Sequence, residues 1–502
     1  MPRKIPATIV TQHPDHARKP YWLDEAFIST RYESDECFRS FSELGATEYK
    51  WDWEGKLVDE SVLERLYSEH YDYFKRSPIG KEKFLTFRLP NPKVESEFRI
   101  GRAFMSIMGA ASMTKQLELH SPPLFEVILP MTESADEMLA IQEAFSQMHS
   151  LKHDLYRFDP LLLQNLEMIP LFEQVPTIFR SHEILEEYIQ KHEKIFGFRQ
   201  KYIRPYVARS DPALNSGVVP TVLAIKVALS RYKQLEEKTG IKFYPMIGAA
   251  SLPFRGGLTP FTVRDFAKEY TGIRTTTLQS AFRYDYDIDD VKEGIRKLES
   301  LLPKGKAVII SEKDIQQIGK LIHPFERYYR KSVEHIAPLV NEVAGFLPKR
   351  RERVQHVGLF GYSRGVGRVK LPRAIGFTAA LYSLGVPPEM IGMGRGLEDA
   401  KKHGHLPVIE KYYLNIKKDL LRSGKYLNKK QIVQRARGST AWQEILHDVR
   451  IIENYLEAPL APETDEEQEH LILTNAISKR LQDKLPIGDF IDEAARLRRS
   501  LG

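Results

Sequence analysis

One pattern restricts the fold of this chain more than any other. Eight times, a short apolar run ends in polar or charged residues and gives way to a longer, mostly amphipathic segment. Runs of this length rich in β-branched and aromatic residues read as strands, and segments with a 3.6-residue apolar period read as helices. The strand candidates are "TEYKWDW" ending near Asp52, "FLTFRLPN" near Arg88, "LFEVILPMTE" near Glu133 and "LEMIPLFEQ" near Glu173. They continue with "KYIRPYVARSD" near Asp211, "KFYPMIGAASLPFRGG" near Arg255, "RTTTLQSAFR" near Arg283 and "VQHVGLFGYSR" near Arg364. Helices are expected at Ser61 to Phe74, Glu95 to Leu117, Ala135 to His149, His182 to Lys194 and Pro220 to Glu237. Eight such units predict an α/β fold, a (β/α)8 TIM-like barrel. Residues 1–46 are then a lead-in and 47–385 the barrel, with a charged helical insertion at 287–350. Residues 386–502 are a helical extension, and the whole is one elaborated domain.

The formal charge of +7 comes from 74 basic and 67 acidic residues scattered along the chain. A field of that size favours small anions as readily as nucleic acid. The basic run "LPKRRERVQ" lacks the spaced aromatics of an RNA-binding signature, so no nucleic-acid partner is expected. The one cysteine, Cys37, excludes an internal disulfide and fits a reducing compartment. The longest uncharged run, Ala374 to Pro388, is too short to span a bilayer, and "MPRKIPATIV" lacks the apolar stretch of a signal peptide. A cytoplasmic protein without membrane contact is expected.

In a parallel barrel the C-terminal strand ends converge on one mouth, where such enzymes carry their chemistry. The candidates there are the carboxylates of Asp52, Glu133, Glu173 and Asp211 and the guanidinium groups of Arg88, Arg255, Arg283 and Arg364, with Arg373 opening the next helix. Any one of these alone is more often a rim salt bridge, but eight strand ends finished this way predict a site. Arginine binds phosphate and carboxylate through paired hydrogen bonds. Oxygen ligands beside it suit a hard divalent cation, magnesium or manganese. "PFRGGLTP" and "GYSRGVGRVKLPR" pair glycine with arginine, which predicts backbone, at Gly256 and Gly257 for example, passing close to phosphate oxygens. Neither is a Walker loop, and "GYSRG" is not a nucleophile elbow. The surplus of arginine argues against a neutral sugar as substrate. A lyase or phosphotransferase on the same type of barrel stays open at this point. Ahead of all this, His13 is held against Pro14 and is therefore biased to extended backbone.

Over nearly its whole length the sequence resembles phosphoenolpyruvate carboxylase of the short archaeal type, through "TQHPD" and "FISTRYESDECFRSFSELGATEYKWDWEGK". The resemblance implies phosphoenolpyruvate and bicarbonate as substrates, oxaloacetate and phosphate as products, Mg2+ (or Mn2+) as cofactor and a homotetramer. "TQHPD" is similar to T-A-H-P-T-E of the long enzymes and puts His13 in the catalytic histidine position. "IPLFEQV" and "ARSDP" are similar to P-L-F-E-T and G-Y-S-D-S, which implies Glu173 and Asp211 as metal ligands. "PFRGG" matches the second half of F-H-G-R-G-G-x-x-G-R-G-G and gives Arg255 a catalytic place. Ile247 and Ala249 stand where that motif has histidine and arginine. "YSRG" and "LPRAI" imply Arg364 and Arg373 as catalytic arginines, while Arg88, Arg283, Gly256 and Gly257 are expected to bind substrate. The implied route runs through carboxyphosphate and a metal-stabilised enolate of pyruvate, with His13 assisting the proton transfer that frees carbon dioxide. The loop after the eighth strand is expected to act as a lid. The closing "RRSLG" is similar to the glycine-ended tail of the long enzymes, which brings Gly502 toward the site.

Overall fold

In a computed structural model of the chain, residues 4–56, 58–95, 97–151, 163–352, 365–366 and 369–502 are described. Eight parallel strands close into a barrel: β1 Thr8–Thr11, β2 Glu48–Asp52, β3 Phe84–Arg88, β4 Glu126–Leu129, β5 Glu167–Phe172, β6 Tyr206–Ala208, β7 Met246–Gly248 and β8 Thr275–Leu278. Each strand pairs with its neighbours in sequence, and β1 closes the ring by pairing with both β2 and β8. The expected fold class is thus found. Four of the five helices expected between strands recur at Val62–Arg76, Glu97–Gln116, Ser181–Phe196 and Val218–Thr239, and the fifth, Ala135–His149, has the bounds expected.

The count of strands was met differently from the expectation. Thr8–Thr11, inside the supposed lead-in, is the first barrel strand, so the barrel does not begin at residue 47. The ring closes without the run expected as strand eight, whose residues 354–364 lie outside the described residues. Helices Ile288–Leu301 and Glu312–Ala344 therefore follow the last strand and are no insertion between strands. A four-residue run carries little periodicity. Its place comes from pairing on both sides, which no local pattern reports.

Strand alternation sorts the side chains. On β2, Tyr49 and Trp51 join the large apolar layer between strands and outer helices, which also takes in Val62, Leu63, Leu66 and Phe74 of the helix that follows. The alternate residues Glu48, Lys50 and Asp52 are also buried, which places charge inside the barrel. A separate cluster of Ile9, Ile128, Ile169, Leu171, Tyr206, Ala208 and Met246 packs together. Its members lie on five strands at alternating positions, as an interior layer requires. Burying each such aliphatic side chain contributes about 1.5–3 kcal/mol. The helix Glu312–Ala344, N-capped by Ser311 accepting from Asp314 N, anchors a second apolar cluster with the C-terminal helices. No helix among the described residues is long and apolar enough to cross a membrane.

Candidate active site

At the C-terminal end of the strands lies a cavity of about 230 Å3, lined by His13, Lys50, Arg88, Glu173, Asp211, Arg255, Gln279 and Arg373 with Leu171, Tyr206 and Ala208. Lys50 projects from the middle of β2 and Arg373 precedes the helix Ala374–Ser383, while the other polar members come from a strand end or the loop beyond it. His13 lies two residues past β1, Arg88 ends β3 and Glu173 follows β5. Asp211 is in the first turn of the helix Ser210–Ser216 after β6, and Arg255 closes a single 3-10 turn, Pro253–Arg255, after β7.

The half-buried His13 ring is fixed by Nδ1, 2.8 Å from Thr11 Oγ1. Burial, together with the positive charges of Lys50, Arg88 and Arg255, holds its pKa well below the ordinary imidazole value against the opposing pull of Asp52. The ring is therefore neutral near pH 7 in the free protein, a form that accepts a proton.

Arg88 and Lys50 share one carboxylate. Asp52 Oδ1 lies 2.8 Å from Arg88 Nε and 3.2 Å from Lys50 Nζ, and all three side chains are buried. Arg88 also pairs with Glu54 through Nη1, at 2.5 Å. Burial and Arg88 push the Lys50 ammonium down to about 8, against Asp52 and Glu54.

Arg255 is held from several directions at once. Its Nε donates to Ser210 Oγ at 3.1 Å, Nη1 to Asp15 Oδ2 at 3.3 Å and to the Gly502 main-chain oxygen, and Nη2 to Gln279 Oε1. The turn that presents it is clamped by Arg209, whose Nη1 and Nη2 donate to Phe254 O and Pro253 O at 2.8 and 3.2 Å. The last residues do fold back to the site: Leu501 N donates to Asp15 O, and a Cβ on Gly502 would stand 2.2 Å from Ile375 O. Only glycine fits there.

Glu173 and Asp211 line the same cavity, and Glu173 Oε2 is oriented by Met131 N at 2.8 Å. Among the described residues no group of three or more His, Cys, Asp and Glu is placed to hold a metal. Two carboxylates are nevertheless the donor set that suits magnesium, which keeps several waters and takes phosphate oxygens as further ligands. The residues present fit the implied ion.

Comparison with known proteins bears on what this cavity serves. The sequence profile of the family described as phosphoenolpyruvate carboxylase matches residues 5–502. A phosphoenolpyruvate carboxylase of Leuconostoc mesenteroides is 38% identical over 504 residues, covering 100% of this chain and 99% of its own length. Those of Methanothermobacter thermautotrophicus and Metallosphaera sedula are 36% and 33% identical, each over 99–100% of both chains. The chain belongs to the phosphoenolpyruvate carboxylase family.

Against that family membership, the expected phosphoenolpyruvate carboxylase residues divide into three groups. His13, Arg88, Glu173, Asp211, Arg255 and Arg373 share the cavity. Arg364 lies outside the described residues, as does most of the lid candidate, of which Gly365–Val366 pairs antiparallel with Val369–Lys370. Arg283, Gly256 and Gly257 are not among the lining residues. Arg283 is buried and donates to Glu36 Oε1, Tyr284 Oη and Thr11 O, so it braces the strand that leads to His13. Gly256 and Gly257 have φ of +117° and +68°, and their N–H groups donate to Pro253 O and Leu252 O. A Cβ on Gly256 would press to 2.9 Å from that of Ala249. These glycines shape the Arg255 turn and do not offer their amides to phosphate. Glu133 sits at the rim in an exposed pair with Lys93, and Asp52 is spent on Lys50 and Arg88.

Lys50, Arg209, Gln279 and Asp15 were missed. The alternation of "EYKWDWE", with charge on one face and aromatics on the other, was the available signal for Lys50. Gln279 and Arg209 carry no local signal.

Proposed function

We propose that this enzyme carboxylates phosphoenolpyruvate with bicarbonate, giving oxaloacetate and phosphate through carboxyphosphate and the enolate of pyruvate. One observation carries the reading: among the described residues the cavity is lined by five cationic side chains, Lys50, Arg88, Arg209, Arg255 and Arg373, and two carboxylates, Glu173 and Asp211, with a neutral imidazole beside them. Such a lining favours two anions held side by side and a cation between them.

Arg88, Arg255 and Arg373 bind the phosphate and carboxylate oxygens of phosphoenolpyruvate. A bicarbonate oxygen attacks phosphorus, the bond from phosphorus to the enol oxygen breaks, and that oxygen keeps the electron pair. A divalent cation on Glu173 and Asp211 supplies Lewis-acid stabilisation of negative charge when bound. His13 then takes the carboxyl proton of carboxyphosphate, the C–O bond to phosphate breaks, and carbon dioxide is released beside the enolate. Its methylene carbon bonds to that carbon dioxide, and His13 returns the proton to phosphate. The apolar wall of Leu171, Tyr206 and Ala208 limits water that would protonate the enolate first.

The assembly on this reading is a homotetramer in the cytoplasm, and light scattering of the purified protein reads the first of these. The deciding experiment couples oxaloacetate to malate dehydrogenase, with and without bicarbonate, in magnesium or manganese and after chelation. Oxaloacetate should need phosphoenolpyruvate, bicarbonate and metal together. Consumption of phosphoenolpyruvate at the same rate without bicarbonate would mean that the chemistry is not carboxylation.

A further inference from the structure

Among the described residues Lys50 is the only lysine that lines the cavity, and the steps above assign it no contact with a substrate. It is 1% exposed, and Asp52 is its one ion-pair partner among the described residues, through an oxygen already shared with Arg88. A buried ammonium with three N–H donors and a share in one carboxylate oxygen is under-coordinated, and burial without further partners is costly. Its place in the sheet is specific. In the barrel register Lys50 stands opposite Thr11 of β1, the residue whose hydroxyl fixes His13, and opposite Thr86 of β3. Of the charges acting on His13, that of Lys50 is the strongest.

We propose that Lys50 is a further substrate-binding residue, the cation that holds the bicarbonate unit next to His13. This rests on the carboxylase reading. There, the carboxyl end of carboxyphosphate must reach His13 to give up its proton, so bicarbonate must first lie on the Lys50 side of the cavity. A planar guanidinium suits phosphate and carboxylate forks, whereas an ammonium is a compact point charge with rotatable donors. Lys50 donates an N–H to one bicarbonate oxygen and leaves another to attack phosphorus. The groups around it are Asp52 at the end of β2 and Glu54 beyond it, Arg88 at the end of β3 and His13 beyond β1, with Glu173, Asp211, Arg255 and Arg373 lining the same cavity. An anion bound against Lys50 favours its charged form, and its empty-site value of about 8 leaves it charged at neutral pH.

The test is Lys50→Met in the full-length protein, with far-UV circular dichroism and melting temperature as checks on folding. The KM for bicarbonate should rise about 10–100-fold, the range of a lost hydrogen bond to a charged group, while the KM for phosphoenolpyruvate stays near wild type. A rise in the phosphoenolpyruvate KM as large as that for bicarbonate, or no change in either, overturns the proposal. Should the methionine variant not fold, Lys50→Arg decides. In wild type, kcat/KM for bicarbonate should fall at alkaline pH as the ammonium loses its proton, and in the arginine variant that fall should move up in pH. An unmoved fall overturns the proposal. Wild-type protein that makes no oxaloacetate from bicarbonate overturns the carboxylase reading itself, and no variant is needed to see it.

Discussion

The barrel contains two charged assemblies, one at each end, drawn in part from the same strand. At the N-terminal end, Arg204 is fully buried between Glu48, the first residue of β2, and Glu126, the first of β4. Its Nη1 donates to Glu48 Oε1 at 2.8 Å and to Glu126 Oε2 at 2.6 Å, and Nη2 donates to Glu48 Oε2 at 2.7 Å. Thr86 and Tyr202 hydroxyls donate to the same two carboxylates. None of these residues lines the cavity at the other end. Toward the mouth, two and four residues along β2, Lys50 and Asp52 belong to an assembly in which, among the described residues lining the cavity, cationic side chains outnumber carboxylates. The chemistry of the side chains is alike in both places. What separates them is the space they enclose: at one end the charges close on one another and fasten strands together, and at the other they border an open cavity.

That contrast predicts opposite phenotypes. His13→Asn at the mouth should cut oxaloacetate formation by about 10²- to 10⁴-fold, the usual weight of one acid–base group, while bicarbonate-dependent cleavage of phosphoenolpyruvate to pyruvate persists and the melting temperature stays near wild type. Unchanged oxaloacetate output would remove His13 from the chemistry. Arg204→Met at the other end should do the reverse. It strands two buried carboxylates, a loss of about 3–5 kcal/mol in unfolding free energy, yet kcat per folded molecule should hold. Adding Glu48→Gln and Glu126→Gln should recover much of the stability in a urea titration. If Arg204→Met instead lowers kcat without lowering stability, the division into a structural and a functional end is wrong.

The two ends were not equally legible in the sequence. The mouth could be read because arginine and carboxylate finish seven of the observed strands or their loops, and because "TQHPD", "IPLFEQV" and "PFRGG" are fixed local patterns. The bottom left no such mark. Arg204 meets Glu48 and Glu126 only through closure of the ring, at separations of 156 and 78 residues. The same limit hid β1, which is four residues long and defined by partners at both edges. It also misdirected Arg283, whose strand-end position matched the pattern while its guanidinium turned to Glu36 and Thr11 O. Type and spacing report which groups reach an end of the barrel. They do not report which of those groups the protein has already paired.

A third charged group tests where the boundary between the two kinds runs. Glu389, 2% exposed, accepts from Phe254 N at 2.6 Å and from Tyr382 Oη at 2.7 Å, both through Oε1, and so backs the turn that presents Arg255. Its Oε2 is buried without a partner beyond the residue itself, and burial raises the carboxyl to about 7, opposed by the hydrogen bonds from its own backbone N–H, Tyr382 and Phe254. Because the folded value lies above the unfolded one of about 4.3, the folded protein binds the extra proton between these limits. Glu389 thus contributes stability at the acid end that is lost as pH rises toward 7, and the loss is complete just above it. Glu389→Gln keeps the Oε1 acceptor and removes the titration. The melting temperature of the glutamine variant relative to wild type should therefore climb between pH 5.5 and 7.5, by about 2 °C at an unfolding entropy of about 2 cal/mol/K per residue, and level off above pH 8. A difference that stays constant with pH would mean that Glu389 is ionised throughout, and that the protein completes the coordination of its charge as it does for Glu48 and Glu126.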